Sequence, residues 1–171
     1  NVATKGYATV SGGYANTASG IASTISGGAS NTASDVDCTV AGGASNSATA
    51  QGATISGGSN HLSSGITSTV GGGADNDATG NYSTVPGGTG ALASRYGQMA
   101  WASGRFSAAG DAQSGEYVLR NITADAATAT ELFLDGVIET QRLIIGIDRT
   151  IAFKILIVAR KSNGAVAMLT S

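Results

Sequence analysis

The chain has 171 residues, with 12% charged and 5% aromatic side chains and a formal net charge of −2. That balance gives no electrostatic case for nucleic acid or an anionic membrane surface as partner, and no apolar run is long enough to span a bilayer as a helix. Gly, Ser, Thr and Ala dominate, a composition that ordinarily reads as linker or disorder, yet here it is strictly periodic, as a linker has no reason to be.

Residues 1–94 carry six copies of one fifteen-residue phrase, beginning with Ala8-Thr9-Val10-Ser11-Gly12-Gly13. The later glycine pairs fall at Gly27-Gly28, Gly42-Gly43, Gly57-Gly58, Gly72-Gly73 and Gly87-Gly88. A fixed period without insertion makes each copy one unit stacked on the next. Fifteen residues are too few for a helical hairpin or a propeller blade, so the unit is one coil of a parallel β-solenoid. Thr-Val favours a strand, and alternation puts Ala8 and Val10 on one face, Thr9 and Ser11 on the other. Gly-Gly supplies a bend that tolerates positive φ. A second stretch, Asn16-Thr17-Ala18-Ser19, echoes at Asn31-Thr32-Ala33-Ser34 and Asn46-Ser47-Ala48-Thr49.

Stacked at about 4.8 Å per coil, six coils make a rod of about 29 Å. The core seam is expected along Val10, Ile25, Val40, Ile55, Val70 and Val85, facing Ala18, Ala33, Ala48, Ser63 and Ala78. Those facing residues are tiny, so one coil owns a thin core, and several chains are expected to share a common one. Asn1 and Ala3 stand fifteen residues before Asn16 and Ala18, in mid-repeat. Further repeats or another cap are therefore expected ahead of Asn1, because an open solenoid end invites aggregation.

After Gly88 the phrase decays. Residues 95–115 add Tyr96, Met99, Trp101 and Phe106, which read as a junction plug capping the solenoid. Trp101 and Tyr96 are also the candidate surface-binding residues, since an indole can stack on a sugar ring. Residues 116–171 read as an all-β, sandwich-like module, expected to be truncated because five strands seldom close a sandwich. Its strands are expected at Tyr117–Arg120, Thr130–Leu134, Arg142–Ile145, Thr150–Arg160 and Ala165–Leu169, with turns at Asp135-Gly136 and Asn163-Gly164.

The search for chemistry finds little. His61 is the single histidine and Cys38 the single cysteine, so a zinc site built on those ligands is excluded. His61 stands where Asn16, Asn31, Asn46 and Asn76 stand in other coils and reads as a substituted turn residue. Cys38 occupies the small slot held elsewhere by Ala8, Ser23, Ala53, Ser68 and Ser83, and reads as a buried free thiol. The repeats hold four carboxylates, Asp35, Asp37, Asp75 and Asp77. The two pairs lie too far apart for a shared glycosidase cleft, none is recognisable as an acid of raised pKa, and solvated turns are their plain reading. Gly71-Gly72-Gly73 lacks the strand–loop–helix context and the Gly-Lys-Ser/Thr of a phosphate loop. No enzyme activity, cofactor or metal is expected.

The repeats, with Ser23-Thr24-Ile25-Ser26-Gly27-Gly28 followed by Asn31-Thr32-Ala33-Ser34, resemble the head repeats of YadA-like trimeric adhesins over about residues 1–94. The resemblance implies a left-handed parallel β-roll and a homotrimer. Ala102-Ser103-Gly104-Arg105-Phe106, Gly110-Asp111-Ala112-Gln113 and Tyr117-Val118-Leu119-Arg120 with Thr123 look like a junction of bacteriophage tail fibres. His61 and Pro86 depart from the repeat pattern without breaking its period. The resemblances imply a structural and attachment segment of a trimeric phage tail fibre, in the virion, meeting other tail proteins and a host-surface glycan or protein. The alternative is the head of a bacterial trimeric autotransporter adhesin at the cell surface. An ice-binding solenoid is a further reading, from the column Thr9, Thr24, Thr39, Thr54, Thr69 and Thr84. A polysaccharide-trimming enzyme is a fourth, left to domains beyond these residues.

Overall fold

The computed structural model describes residues 1–121, 131–136, 142–143, 154–160 and 166–170. Residues 1–103 form a parallel β-solenoid of about seven coils, and the described residues contain strands, bridges and turns but no helix. One ladder stacks Val2–Ala3, Thr17–Ala18, Thr32–Ala33, Ser47–Ala48, Leu62–Ser63, Asp77–Ala78 and Leu92–Ala93. A second stacks Thr9–Val10, Thr24–Ile25, Thr39–Val40, Thr54–Ile55, Thr69–Val70 and Thr84–Val85, then Met99–Ser103. Each strand pairs in register with the one fifteen residues on, Thr24 against Thr39 and Ile25 against Val40. The coil also has a third side that two stretches and two turns did not anticipate. Single bridges join Tyr14, Ala29, Ala44, Ser59, Ala74 and Thr89 in one column.

Two-residue strands leave each coil with three corners, and the corners explain the glycines. The second glycine of each pair is left-handed, with φ near +90° at Gly28 and Gly43. A methyl group on Gly28 would overlap the Gly43 carbonyl oxygen of the next coil, whereas one on Gly27 meets nothing within 4 Å. Gly27-Gly28 is thus one obligatory glycine and one permissive one, whereas at Gly57 and Gly72 the first member has positive φ as well. Two further corners are left-handed without needing glycine, at Ala22 (φ 54°) and Ser30 (φ 57°), and their equivalents recur along the rod.

The core is a column of side chains between the two main ladders. Ile25, Val40, Ile55, Val70 and Val85 are fully buried against Ala18, Ala33, Ala48, Ser63 and Ala78, also fully buried. A single chain therefore closes its own core. The expectation that several chains share this seam needs revising, because the short facing side chains let the two walls approach until nothing is left to share.

Where Gly-Gly is replaced by Ala102-Ser103, the corner is lost and Met99–Ser103 runs straight for five residues. Register slips by one there, from Thr84 opposite Met99 to Gly88 opposite Ala102. The chain then returns as Gln113–Glu116, antiparallel to Met99–Ser103 and opposite to every other pairing in the rod. Gln113 finishes the cap. Its side-chain amide accepts from Leu92 N–H at 2.7 Å and donates to Leu92 C=O at 2.9 Å, as the next coil would. The expected aromatic plug is corrected accordingly: Phe106 is 90% exposed, Trp101 and Met99 are exposed, and Tyr96 is half-buried. An amide and a hairpin close the rod because what the end lacks is hydrogen-bond partners, not volume.

Among the described residues beyond 116, the two expected strands nearest the C-terminus are present, as Leu156–Arg160 and Val166–Thr170, and the earlier ones are not regular strands. Tyr117–Arg120 is no regular strand; Arg120 alone bridges Phe133, antiparallel. Phe133 and Leu134 are buried, and Asp135-Gly136 bends with Gly136 at φ 82°. Arg142 and Leu143 lie outside any strand. Leu156–Arg160 and Val166–Thr170 pair as an antiparallel hairpin. Thr123, Thr130, Ile144-Ile145, Thr150–Phe153 and Asn163-Gly164-Ala165 lie outside the described residues, so the sandwich-like arrangement is not drawn from those that are described.

Candidate functional site

The two candidate surface residues sit on different sides of the last coil. Tyr96 occupies the corner before Met99–Ser103 and meets Tyr82 of the preceding coil edge to face, with ring centroids 5.2 Å apart. Trp101 lies on the outer face of the strand, because alternation turns Ala100 and Ala102 inward and Met99, Trp101 and Ser103 outward. It is 52% exposed. Ser114 stands directly across from Trp101 and Glu116 across from Met99. With Pro86 of the coil below they line a shallow cleft of about 110 Å³. A flat indole beside a hydroxyl and a carboxylate can stack on the C–H face of a sugar ring while the oxygens bond its hydroxyls. Ser114 and Glu116 were not legible as partners of Trp101, because nothing in the repeat announces an antiparallel return strand. The signal available was the loss of Gly-Gly at 102–103 together with strict alternation over 99–103.

The carboxylates separate by environment. Asp35 and Asp37 are exposed at a corner. Asp75 occupies another, at φ 53°, with Arg105 3.8 Å from its carboxylate. Asp77 lies on a strand, half-buried, and burial pushes its carboxyl above the usual carboxylate range. That revises the expectation that no repeat carboxylate is raised. Asp111 is the reverse case. It accepts the backbone N–H groups of Ala108 at 2.8 Å, Ser107 at 2.6 Å and Phe106 at 2.9 Å, and these hold its carboxyl below the usual range. It ties the 106–111 loop rather than offering a site.

The inward polar column is the feature sequence reading misjudged most. Asn16, Asn31, Asn46, His61 and Asn76 are all buried, not turn residues on the surface. Each asparagine uses one amide to fasten its own coil to the next. Asn31 Nδ2 donates to Gly27 O at 3.1 Å and to Gly43 O at 2.9 Å, and its Oδ1 accepts Asn46 N–H at 3.0 Å. The available signal was parity: Asn16 and Ala18 share one face of the strand, so an inward Ala18 implies an inward Asn16. Cys38 is buried as expected; its thiol donates to Ala50 O at 3.1 Å, and burial raises its pKa. Among the described residues no cluster of three or more His, Cys, Asp or Glu could hold a metal ion, and no helix is long and apolar enough to cross a membrane. No protein-family model matches the chain, and no curated protein matches it.

Proposed function

We propose that this chain is a stiff structural and attachment segment of a homotrimeric fibre, of the kind found in bacteriophage tails, that carries or forms a contact region for the host surface. The supporting observation is a row of apolar side chains left on one corner of the rod. Ile21 is 51% and Ile66 43% exposed, and half-buried Val36 and Tyr96 belong to the same fifteen-residue series. Gln51 and Asn81 interrupt it. Since the inner ladders are already buried within one chain, association has to use an outer surface, and this row places Ile21, Val36 and Ile66 at one corner, two of them well exposed. Burial of such groups is favourable by about 25 cal/mol per Å². Another copy of the chain presents the same row at the same rise of about 4.8 Å, so partners around a common axis meet rung by rung. The parallel ladders supply stiffness, and the Trp101 cleft is where this reading puts contact with a host glycan.

Light scattering on the purified chain tests it. The expected mass is three times the 16.7 kDa of one chain, falling to one chain in an Ile21→Asp, Ile66→Asp double variant that keeps its β circular dichroism. A wild-type chain that scatters as a monomer overturns the trimeric reading.

A further inference from the structure

The inward column Asn16, Asn31, Asn46, His61, Asn76 contains one rung of different chemistry. Imidazole reproduces part of what the amide does. The His61 backbone N–H donates to Asn46 Oδ1 at 3.1 Å, and the ring's Nδ1 accepts Asn76 N–H at 3.1 Å, as an asparagine Oδ1 does for the next rung. Accepting at Nδ1 requires its lone pair, so the neutral ring carries its proton on Nε2. Asparagine Nδ2 in the other rungs finds two glycine carbonyls, as Asn46 does at Gly42 (2.9 Å) and Gly58 (3.0 Å). His61 Nε2 is buried and makes no well-formed hydrogen bond, although the Gly73 backbone lies close enough to favour a proton on the ring. The rung therefore begins short of one interaction and depends on the ring staying neutral.

We propose that His61 is an acid-sensitive rung, at which the coils carrying Asn46 and Asn76 come apart when the imidazole gains a second proton. That proton goes to Nδ1. An acceptor becomes a donor facing the Asn76 N–H, and two donors then oppose each other in a buried site. This inference stands on one chain and does not depend on the trimer.

The charged groups acting on the ring are Asp75 and Asp77 of the next coil, with Arg105 beyond, against Asp75. Burial outweighs the Gly73 backbone and both carboxylates, which favour the imidazolium, and holds the ring below the ordinary histidine range. The folded chain thus prefers the neutral ring more than the unfolded chain does. Stability is fully present above the unfolded value of 6.5 and is lost as pH falls from there towards the folded value. A ring that stayed neutral throughout would lower the folded-to-unfolded ratio about 30-fold between pH 7.5 and pH 5.0. Asp77 acts in the opposite sense, because a raised carboxyl favours the fold as pH falls.

The test compares the full chain with His61→Asn, a residue the column already accommodates in neighbouring coils. Denaturant midpoints at pH 7.5 and pH 5.0 are read alongside hydrogen exchange at the Asn76 amide. The wild type should lose more than about ten-fold in folded ratio relative to the variant over that interval, and protection at Asn76 should drop at pH 5.0 in the wild type alone. Parallel pH dependence of the two chains, within about two-fold, overturns the proposal. So does a His61 ring proton that titrates at or above about 6.5 in the folded chain.

Discussion

Substitution of alanine for either member of one Gly-Gly pair separates steric need from repetition. At Gly28 a Cβ would overlap the Gly43 carbonyl oxygen and stand 2.7 Å from Asn31 Nδ2 and 2.8 Å from Gly43 N, well inside the about 3.5–4.0 Å at which non-bonded atoms are comfortable. The neighbour is backbone, so it yields only if the coils part. The residue also sits at φ +90°, a conformation that costs about 1–3 kcal/mol for a residue with a Cβ. Overpacking adds about 1–3 kcal/mol, and a displaced Asn31 amide loses about 1 kcal/mol of hydrogen bonding. Gly28→Ala is therefore expected to destabilise by about 3–6 kcal/mol, a melting point lower by about 10 °C or more in a chain of this size. Gly27→Ala meets nothing within 4 Å and has no left-handed φ to defend. It should stabilise by about 0.4–1 kcal/mol, through lost freedom in the unfolded chain. Thermal unfolding followed by circular dichroism reads both. Variants that melt within about 1 °C of each other would refute the claim that coil-to-coil approach sets the glycine requirement.

Gln113→Ala removes the amide that completes Leu92 and should lift protection from hydrogen exchange in Leu92–Ala93 and Gln113–Glu116 while the middle coils keep theirs; unchanged exchange at Leu92 would show that the cap lies elsewhere. Trp101→Ala should abolish binding to host-surface glycan in a glycan-array or cell-adsorption assay, with a melting point within about 2 °C of wild type because the indole is half-exposed. Retained binding would remove the cleft from the proposed attachment surface.

The rod was legible because each coil is local. A fifteen-residue period dictates stacking, and alternation of Thr and Val dictates which side chains turn inward; the buried Val40 and Ala33 sit where those two rules put them. What failed was anything set by pairing across coils. Asn31 and His61 looked like turn residues because their partners are fifteen residues away, and the cap looked like a matter of bulk because an edge's missing hydrogen bonds leave no mark on composition. Trp101 was visible as a residue, but its neighbours Ser114 and Glu116 arrive by an antiparallel return that no repeat encodes. Period, direction of stacking and inner faces could be read from the residues alone, since they follow from chain-local geometry. Which glycine is obligatory, how the rod ends and that one chain closes its own core emerge only once the coils are stacked, since these depend on how near one backbone comes to the next.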